Sequence, residues 1–399
     1  MVNQSISRWL GAGLLAMAFP VLAQHAHQHA KAPGAPISGP RHELGSSAVF
    51  DEKGVLWAVS KRGDHVVLRR STDLGQTWSQ PAPVNSTPEP VGADGDARPK
   101  IALAPGGVVY VTWTRPLLKP YTGLIRFARS LDDGKTFVPP VTVHVDRQEI
   151  THRFDSIAVD RDGRLYIAWV DKRDAEAARR TGGHYRGAAV YFAVSEDRGA
   201  TFRGDFKLAD HSCECCRIAL LPHADGTVIA FWRHVFEPNI RDHAVARLHP
   251  NGHVDGFRRA TFDNWAVDVC PHHGPSLASD ARGRLHAVWF SQGTTHSGAL
   301  YGRLREAGVD GLRRIGGETA EHPDLAIVGE HVAVAWKEFD GERSQLRGML
   351  SSDGGNTWRE VAIGTTSGPS DQPRLLTFNG RFYVFWNTRD MPFAVFPLS

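Results

Sequence analysis

Seven copies of one short pattern recur along the chain, and they restrict its fold more than any other feature of the sequence. Each copy is an apolar strand, a turn rich in Gly and Asp, and a second apolar strand that ends in Trp. The copies end at Trp57, Trp113, Trp169, Trp232, Trp289, Trp336 and Trp386, which lie 47 to 63 residues apart. A hairpin repeat of roughly 50 residues is typical of a β-propeller, because small sheets that cannot bury both faces alone pack together in a ring. We therefore predict an all-β β-propeller of about seven four-stranded antiparallel blades, with six blades as the alternative.

A second motif, S-x-D-x-G-x-T followed by Trp or Phe, lies between these copies. It occurs at residues 71–78, 130–137, 195–202 and 351–358. This motif is the Asp box, and the chain resembles the exported Asp-box (sialidase-like, bacterial-neuraminidase-repeat) propellers over nearly its whole mature length. In such a turn Asp accepts amide hydrogen bonds, Gly takes a positive φ and the aromatic ring fills the gap between blades. The resemblance implies that four aspartates are structural and lie opposite the active site: Asp73, Asp132, Asp197 and Asp353.

The N-terminal 23 residues predict export. Arg8 precedes an apolar stretch over residues 9–22, and a small-residue cleavage site follows near Ala23, as in a secretory signal peptide. The stretch is shorter than the roughly 20 apolar residues that a membrane span needs. We therefore expect a soluble periplasmic or secreted protein with no membrane span after cleavage. A His-, Pro- and Gly-rich tail over residues 24–41 would precede a single propeller domain over residues 42–399.

The charge balance argues against a nucleic-acid partner. Lys and Arg number 46 and Asp and Glu number 43, which gives a formal net charge of +3. No run of Lys or Arg is long enough to follow a phosphate backbone. We expect a small molecule, a glycan or a metal ion as the ligand, and the oligomeric state stays open.

The resemblance also predicts where the ligand binds. In that family each innermost strand begins at the functional face, so the residues just before each repeat converge around the central channel. The polar residues at these positions are Asp94, Asp96, Arg98, His152, Arg153, Asp155, Cys213, Cys215, Cys216, Arg217, Cys270, His272, His273, Glu321, His322, Asp371, Gln372 and Arg374. We predict that they form a crowded polar mouth.

Sialidase chemistry is one function that the resemblance implies. It would require an arginine trio that grips a carboxylate, an Asp acid/base and a Tyr–Glu nucleophile pair, and a planar guanidinium suits bidentate binding of a carboxylate. The family's Phe/Tyr-Arg-Ile-Pro motif is missing, and Arg98 and Arg153 are the nearest matches without completing a trio. Tyr383 lies inside a repeat strand and is assigned to the core. A shared fold does not transfer an activity, so it stays open whether the chain is an enzyme.

The four cysteines form the sharper local signal. Cys213-Glu-Cys215-Cys216 and Cys270-Pro-His272-His273 precede the inner strands of consecutive repeats, so adjacent blades would hold them side by side. They resemble a subgroup of these exported propellers that carries Cys-x-Cys-Cys and Cys-Pro-His segments. Three interpretations stay open: a soft-metal site, structural disulfides such as Cys213 or Cys215 with Cys270, and a redox pair.

Our leading hypothesis is a soft-metal site for copper or zinc, used in metal handling or a metal-dependent reaction, because thiolate and imidazole ligands suit these ions. Its proposed ligands are Cys213, Cys215, Cys216, Cys270, His272, His273 and His322. The alternative is a sialidase-like glycoside hydrolase (exo-alpha-sialidase type) that uses Arg98 and Arg153. A further alternative is a non-catalytic glycan- or protein-binding scaffold whose blades are joined by disulfides.

Overall fold

The computed structural model describes residues 42–399, so the predicted signal peptide (residues 1–23) and tail (residues 24–41) lie outside the described residues. The described residues form seven antiparallel sheets in a ring, which is a seven-bladed β-propeller. The prediction of seven blades is confirmed, and the six-blade alternative is wrong.

The blades follow the chain in order, and each is a meander of consecutive strands. Blade 1 contains β1 (Ser46–Phe50), β2 (Leu56–Arg62), β3 (His65–Ser71) and β4 (Ala82–Pro83). Blade 2 contains β5 (Lys100–Ala104), β6 (Val108–Pro116), β7 (Gly123–Ser130) and β8 (Val141–Thr142). Blade 3 contains β9 (His152–Val159), β10 (Leu165–Asp171), β11 (Ala188–Ser195) and β12 (Arg203–Ser212). Blade 4 contains β13 (Ala219–Pro222), β14 (Val228–Arg233), β15 (His243–Leu248) and β16 (Val254–Arg259).

The last three blades complete the ring. Blade 5 contains β17 (Ser276–Ser279), β18 (Leu285–Gln292), β19 (Ser297–Arg305) and β20 (Gly308–Ile315). Blade 6 contains β21 (Glu321–Val328), β22 (His331–Phe339), β23 (Ser344–Ser351) and β24 (Arg359–Thr366). Blade 7 contains β25 (Arg374–Phe378), β26 (Arg381–Trp386) and β27 (Ala394–Leu398), so within residues 42–399 it has three strands.

The first strand of each blade is the innermost. These inner strands contact one another around the ring, and β25 contacts β1, which closes it. The repeat tryptophans all lie on the second strand of their blades and are buried. Their indole N–H groups find partners: Trp113 donates to Glu89 at 2.9 Å and Trp289 donates to Asp263 at 2.7 Å. A buried Trp thus fills the space between blades without an unsatisfied donor.

The Asp boxes have the structural role that the sequence predicts. Asp73 accepts hydrogen bonds from the Thr77 amide at 2.9 Å and from the Thr77 hydroxyl at 2.6 Å, and the other three boxes repeat this geometry. The bonds from Thr77 lower the pKa of Asp73 to about 2. The box aromatics contact the preceding blade, as where Trp358 meets Tyr301 edge-on at 4.7 Å. Each box follows a third strand, and the meander therefore puts it at the end opposite the starts of the inner strands.

One helix departs from the all-β expectation. It is α1 (Arg173–Arg180), which lies between β10 and β11 and buries none of its residues. The helix has only eight residues and no apolar face that is buried, so the sequence shows no clear helical pattern there. Within residues 42–399, no helix has the length and apolar character that crossing a membrane requires.

Candidate functional site

The segments before the inner strands meet at one end of the channel, as the sequence predicts. The strongest contact there joins Arg98, before β5, to Asp371, before β25. The guanidinium donates to both carboxylate oxygens at 2.7 and 2.8 Å, and it also donates to the carbonyls of Gly95 and Ser46 at 2.7 and 2.9 Å. Arg98 therefore binds a carboxylate, but the carboxylate belongs to this chain.

A second buried pair joins blades 2 and 4. Arg217, before β13, donates to Asp96 at 3.2 Å and to the carbonyls of Pro275 and Pro323 at 2.7 and 3.2 Å. Burial raises the pKa of Asp96, but Arg217, Arg374 and Arg98 outweigh it and hold that pKa at about 2. Asp96 is therefore a permanent anion inside a group of three arginines from blades 2, 4 and 7.

Arg374 is the least satisfied of these arginines. Its contacts with Asp96 and Asp324 are ion pairs of 3.6 and 3.8 Å, which are beyond hydrogen-bond distance. Burial and the like charges of Arg217 and Arg98 together lower the pKa of Arg374 to about 9, against the opposing charges of the two aspartates. The side chain is 15% exposed, so a ligand can reach it.

Lys100 and Arg153 complete the cationic residues of the mouth. Lys100 lies 3.7 Å from Asp155, and burial lowers its pKa to about 8 although Asp155 opposes the shift. The guanidinium of Arg153 stacks over the ring of Phe154 at 4.9 Å. The sequence named Arg98 and Arg153 as the carboxylate-binding pair, whereas the arginines that converge around Asp96 are Arg98, Arg217 and Arg374.

Three cysteines of blade 4 form a compact group that we call the trithiol cluster: Cys213, Cys215 and Cys216. Their Sγ atoms lie 3.5, 3.7 and 3.9 Å apart and are buried. A disulfide would require about 2.05 Å, whereas a metal bound at about 2.3 Å by thiolates would hold its sulfurs about 3.8 Å apart. All four cysteines are free thiols, so the disulfide expectation finds no support.

The trithiol cluster contains one acidic thiol. Hydrogen bonds from the Cys215 and Cys216 thiols lower the pKa of Cys213 well below its usual range, and Arg241 and Arg233 add to this effect against burial. Burial raises the pKa of both partners instead. The resting cluster therefore carries a thiolate at Cys213.

Two buried arginines flank the trithiol cluster. Arg241 donates to Cys213 Sγ at 3.5 Å and to the carbonyl of Val267 at 2.7 Å. Arg233 donates to the carbonyls of His273 and Phe290 and stacks over Trp265 at 4.8 Å. Arg241 was not among the predicted site residues, although it lies in the loop after a Trp-bearing strand, and such loops open on the functional face.

Two of the predicted histidine ligands belong to a group separate from the trithiol cluster. His273 and His322 stack at 4.4 Å and group with Glu321, with one ligand atom of each residue within 4.8 Å of the others. The two rings are stacked with an interplanar angle of 26°, so their in-plane lone pairs do not converge on one metal ion at bonding distance unless a ring rotates. Burial lowers the pKa of His273 to about 4 and that of His322 well below its usual range, so both imidazoles are neutral.

Glu321 links this histidine group to a cation. Its carboxylate lies 3.6 Å from His322 Nε2 and 3.3 Å from Lys337 Nζ, and its side chain is 29% exposed. Cys270 packs against the core that contains the trithiol cluster, and its thiol interacts with Cys215. The His272 ring lies 6.4 Å from that of Phe154.

Comparison with known proteins identifies the fold. No protein-family profile and no curated protein matches the chain. A solved ulvan lyase, bound to a GlcA–Rha3S unit, is similar with TM-score 0.55 and 9% identity over 88% of this chain and 90% of that chain. A second polysaccharide lyase is similar with TM-score 0.52 and 13% identity over 94% and 93% of the two chains. The leech intramolecular trans-sialidase, complexed with 2,7-anhydro-Neu5Ac, has TM-score 0.50 and 8% identity over 87% and 84%.

The chain has a sialidase-like propeller fold. At these identities the likeness shows the fold alone, and the functions of the three proteins remain theirs.

Proposed function

We propose that this chain is a sialidase-like glycoside hydrolase that binds an acidic glycan at the channel mouth. The observation that carries the proposal is the convergence of Arg98, Arg217 and Arg374 from three blades around the channel. The likeness to two polysaccharide lyases and a trans-sialidase adds support, because it favours this alternative over the soft-metal hypothesis.

Arg374 is the residue that we assign to the acidic group of the glycan. Arg98 and Arg217 each hold an aspartate of this chain, which fixes them in place. Arg374 has only long ion pairs and lies in a setting that disfavours positive charge. A carboxylate or sulfate beside it would therefore be stabilised by bidentate hydrogen bonds. Arg98 then acts as a positioning residue, and Arg153 remains a proposed second ligand of the glycan.

Glu321 is the group that we assign to proton transfer. It is partly exposed at the mouth, and its carboxylate lies near Lys337 Nζ and His322 Nε2, so it can reach both a ligand and solvent. The charges of Arg217 and Arg98 also contribute to lowering the pKa of His322, so the histidine group and these two arginines influence each other electrostatically. The Tyr–Glu nucleophile pair of the resemblance is not part of the proposal, because Tyr383 is buried in β26.

The test is turnover of a fluorogenic sialoside and of a GlcA-containing polysaccharide. We expect hydrolysis by the wild type and a KM about 10- to 100-fold higher in Arg374→Gln, since a hydrogen bond to a charged group is lost. Arg359→Gln, on the exposed strand β24, is the matched control and should behave as wild type. The proposal would be overturned if the protein neither hydrolysed nor bound either glycan. An unsaturated product would show that the enzyme is a lyase and not a hydrolase.

A second candidate function, soft-metal binding, rests on a different observation. The sulfur spacing of the trithiol cluster matches that of a thiolate-bound metal, and the donors suit Cu(I) or Zn(II). A disulfide at Cys213 would remove the thiolate that accepts a hydrogen bond from Arg241 and would leave this buried arginine without that partner. His273 and His322 form their own group with Glu321. This proposal therefore rests on Cys213, Cys215 and Cys216, with Cys270 beside them.

The test of the second function combines metal analysis with a count of free thiols under denaturation. We expect one copper or zinc ion per chain, lost in Cys216→Ser and retained in Cys270→Ser if three thiols suffice. Protein without metal and without free thiols would contradict the metal site and restore the disulfide interpretation.

A further inference from the structure

Arg233 and Arg241 are buried cations without an acidic partner. They are 1% and 8% exposed, and no carboxylate of residues 42–399 lies within ion-pair distance of either guanidinium. Their hydrogen bonds go to carbonyl groups and to Cys213 Sγ. Other buried arginines of the channel differ, because Arg98 and Arg217 each pair with an aspartate.

A buried cation without a counter-charge is costly. The groups beside these two arginines that can become anionic are the cysteines: Arg241 donates to Cys213 Sγ at 3.5 Å, and the Arg233 carbonyl accepts from the Cys213 amide at 3.0 Å. Two positive charges are balanced when the cluster carries two negative charges. Three thiolates around a monovalent ion carry −2, whereas three thiolates around a divalent ion carry −1.

The coordination number points the same way. Three sulfurs of this cluster lie within 4.8 Å of one another. The fourth thiol, Cys270, interacts with Cys215 but does not belong to that group of three. Structural zinc sites are almost always four-coordinate, whereas Cu(I) and Ag(I) accept three thiolates. The Sγ–Sγ spacings of 3.5 to 3.9 Å suit such a trigonal arrangement after a small expansion.

We infer that Arg233 and Arg241 make the trithiol cluster selective for a monovalent soft cation, Cu(I) or Ag(I), over Zn(II). The inference rests on the proposed soft-metal function and adds the charge of the ion and the two residues that set it. Selectivity arises because a Cu(I) or Ag(I) complex is one charge more negative than the Zn(II) complex, and each arginine stabilises that extra charge.

The experiment measures two affinities for reduced full-length protein without oxygen. Cu(I) is titrated against a Cu(I) chelator and Zn(II) against a chromogenic zinc chelator. Ag(I) is included as a monovalent ion that does not change its oxidation state under these conditions. The variants are Arg241→Met and Arg241→Gln, which remove the charge, and Arg241→Lys, which keeps it. Arg247→Met is the matched control, because Arg247 lies on β15 of the same blade and pairs with Asp225.

We expect Arg241→Met and Arg241→Gln to lower the ratio of Cu(I) to Zn(II) affinity roughly 300-fold, the effect of one unit charge at about 5 Å and an effective dielectric of about 20. Arg241→Lys and Arg247→Met should keep the wild-type ratio. An unchanged ratio in both charge-removing variants that remain folded by circular dichroism would overturn the inference and leave the metal site standing. Failure of the wild type to bind any of the three ions would overturn the metal site itself.

Discussion

Arg98 and Asp371 form a bidentate ion pair across the junction that closes the ring, although 273 positions separate them in the chain. Arg98 also donates to the Ser46 carbonyl, and the Ser46 amide donates to Asp371 at 3.1 Å. Blades 1, 2 and 7 thus meet in one buried network. Within residues 42–399, no strand from another blade adds to blade 7. The ring is therefore closed by these side-chain contacts and by the packing of β25 on β1.

Breaking this pair should destabilise the propeller. Arg98→Met leaves Asp371 buried without its partner, and we expect the free energy of unfolding to fall by about 3–5 kcal/mol. Denaturant unfolding followed by Trp fluorescence measures it. The double variant Arg98→Met/Asp371→Leu should recover most of the loss, and a double variant as unstable as the single one would contradict the account.

The Asp boxes should make stability depend on acid pH. The pKa of Asp73 is about 2 in the folded protein against an ordinary value of 3.8, so its contribution is present above pH 4 and is lost as the pH falls toward 2. Melting temperatures between pH 5 and 2 should therefore fall less steeply in Asp73→Asn than in the wild type. Glycan turnover should be unaffected by this variant at neutral pH, because the box lies at the opposite end of the blade from the mouth.

Substitutions of Glu321 and Arg374 should change different kinetic constants. Glu321→Gln keeps the shape of the side chain but cannot exchange a proton, so we expect kcat to fall about 10²- to 10⁴-fold with KM nearly constant. Arg374→Gln should instead raise KM. Steady-state kinetics on the fluorogenic sialoside separates the two, and equal losses of kcat in both variants would argue against the assigned roles.

The thermal stability of the protein should not depend on a thiol reductant. Because Cys213, Cys215, Cys216 and Cys270 are free thiols, a reducing agent should leave the melting temperature of metal-free protein unchanged. A disulfide between blades would contribute about 2–4 kcal/mol, and its reduction would lower the melting temperature. Thermal unfolding with and without a thiol reductant, after treatment with a chelator, distinguishes the two states.

The blade count and the Asp boxes were predictable because their signals are local. A Trp at the end of a second strand and an S-x-D-x-G-x-T turn each specify a hairpin within a few residues, so Trp57 and Asp73 could be assigned without knowledge of the ring. Helix α1 was missed because its eight residues, five charged ones and three alanines, bury nothing and offer no large apolar face.

The partners of the site residues could not be read from the chain. The sequence placed Cys213 and Cys270 beside each other because they occupy equivalent positions in adjacent blades, but it gave no sign that Arg241 faces the thiols. It likewise named Arg98 as a ligand for a substrate carboxylate, whereas the structure engages it with Asp371.

The repeat, the number of blades and the end of the channel where the polar residues gather follow from the sequence alone. The folded ring sets which charges meet there, because its closure brings together segments from blades 2, 4 and 7 whose separation along the chain follows no motif. Burial then fixed their chemistry: the same side chain, arginine, is neutralised by an aspartate at Arg98 and faces a thiol at Arg241.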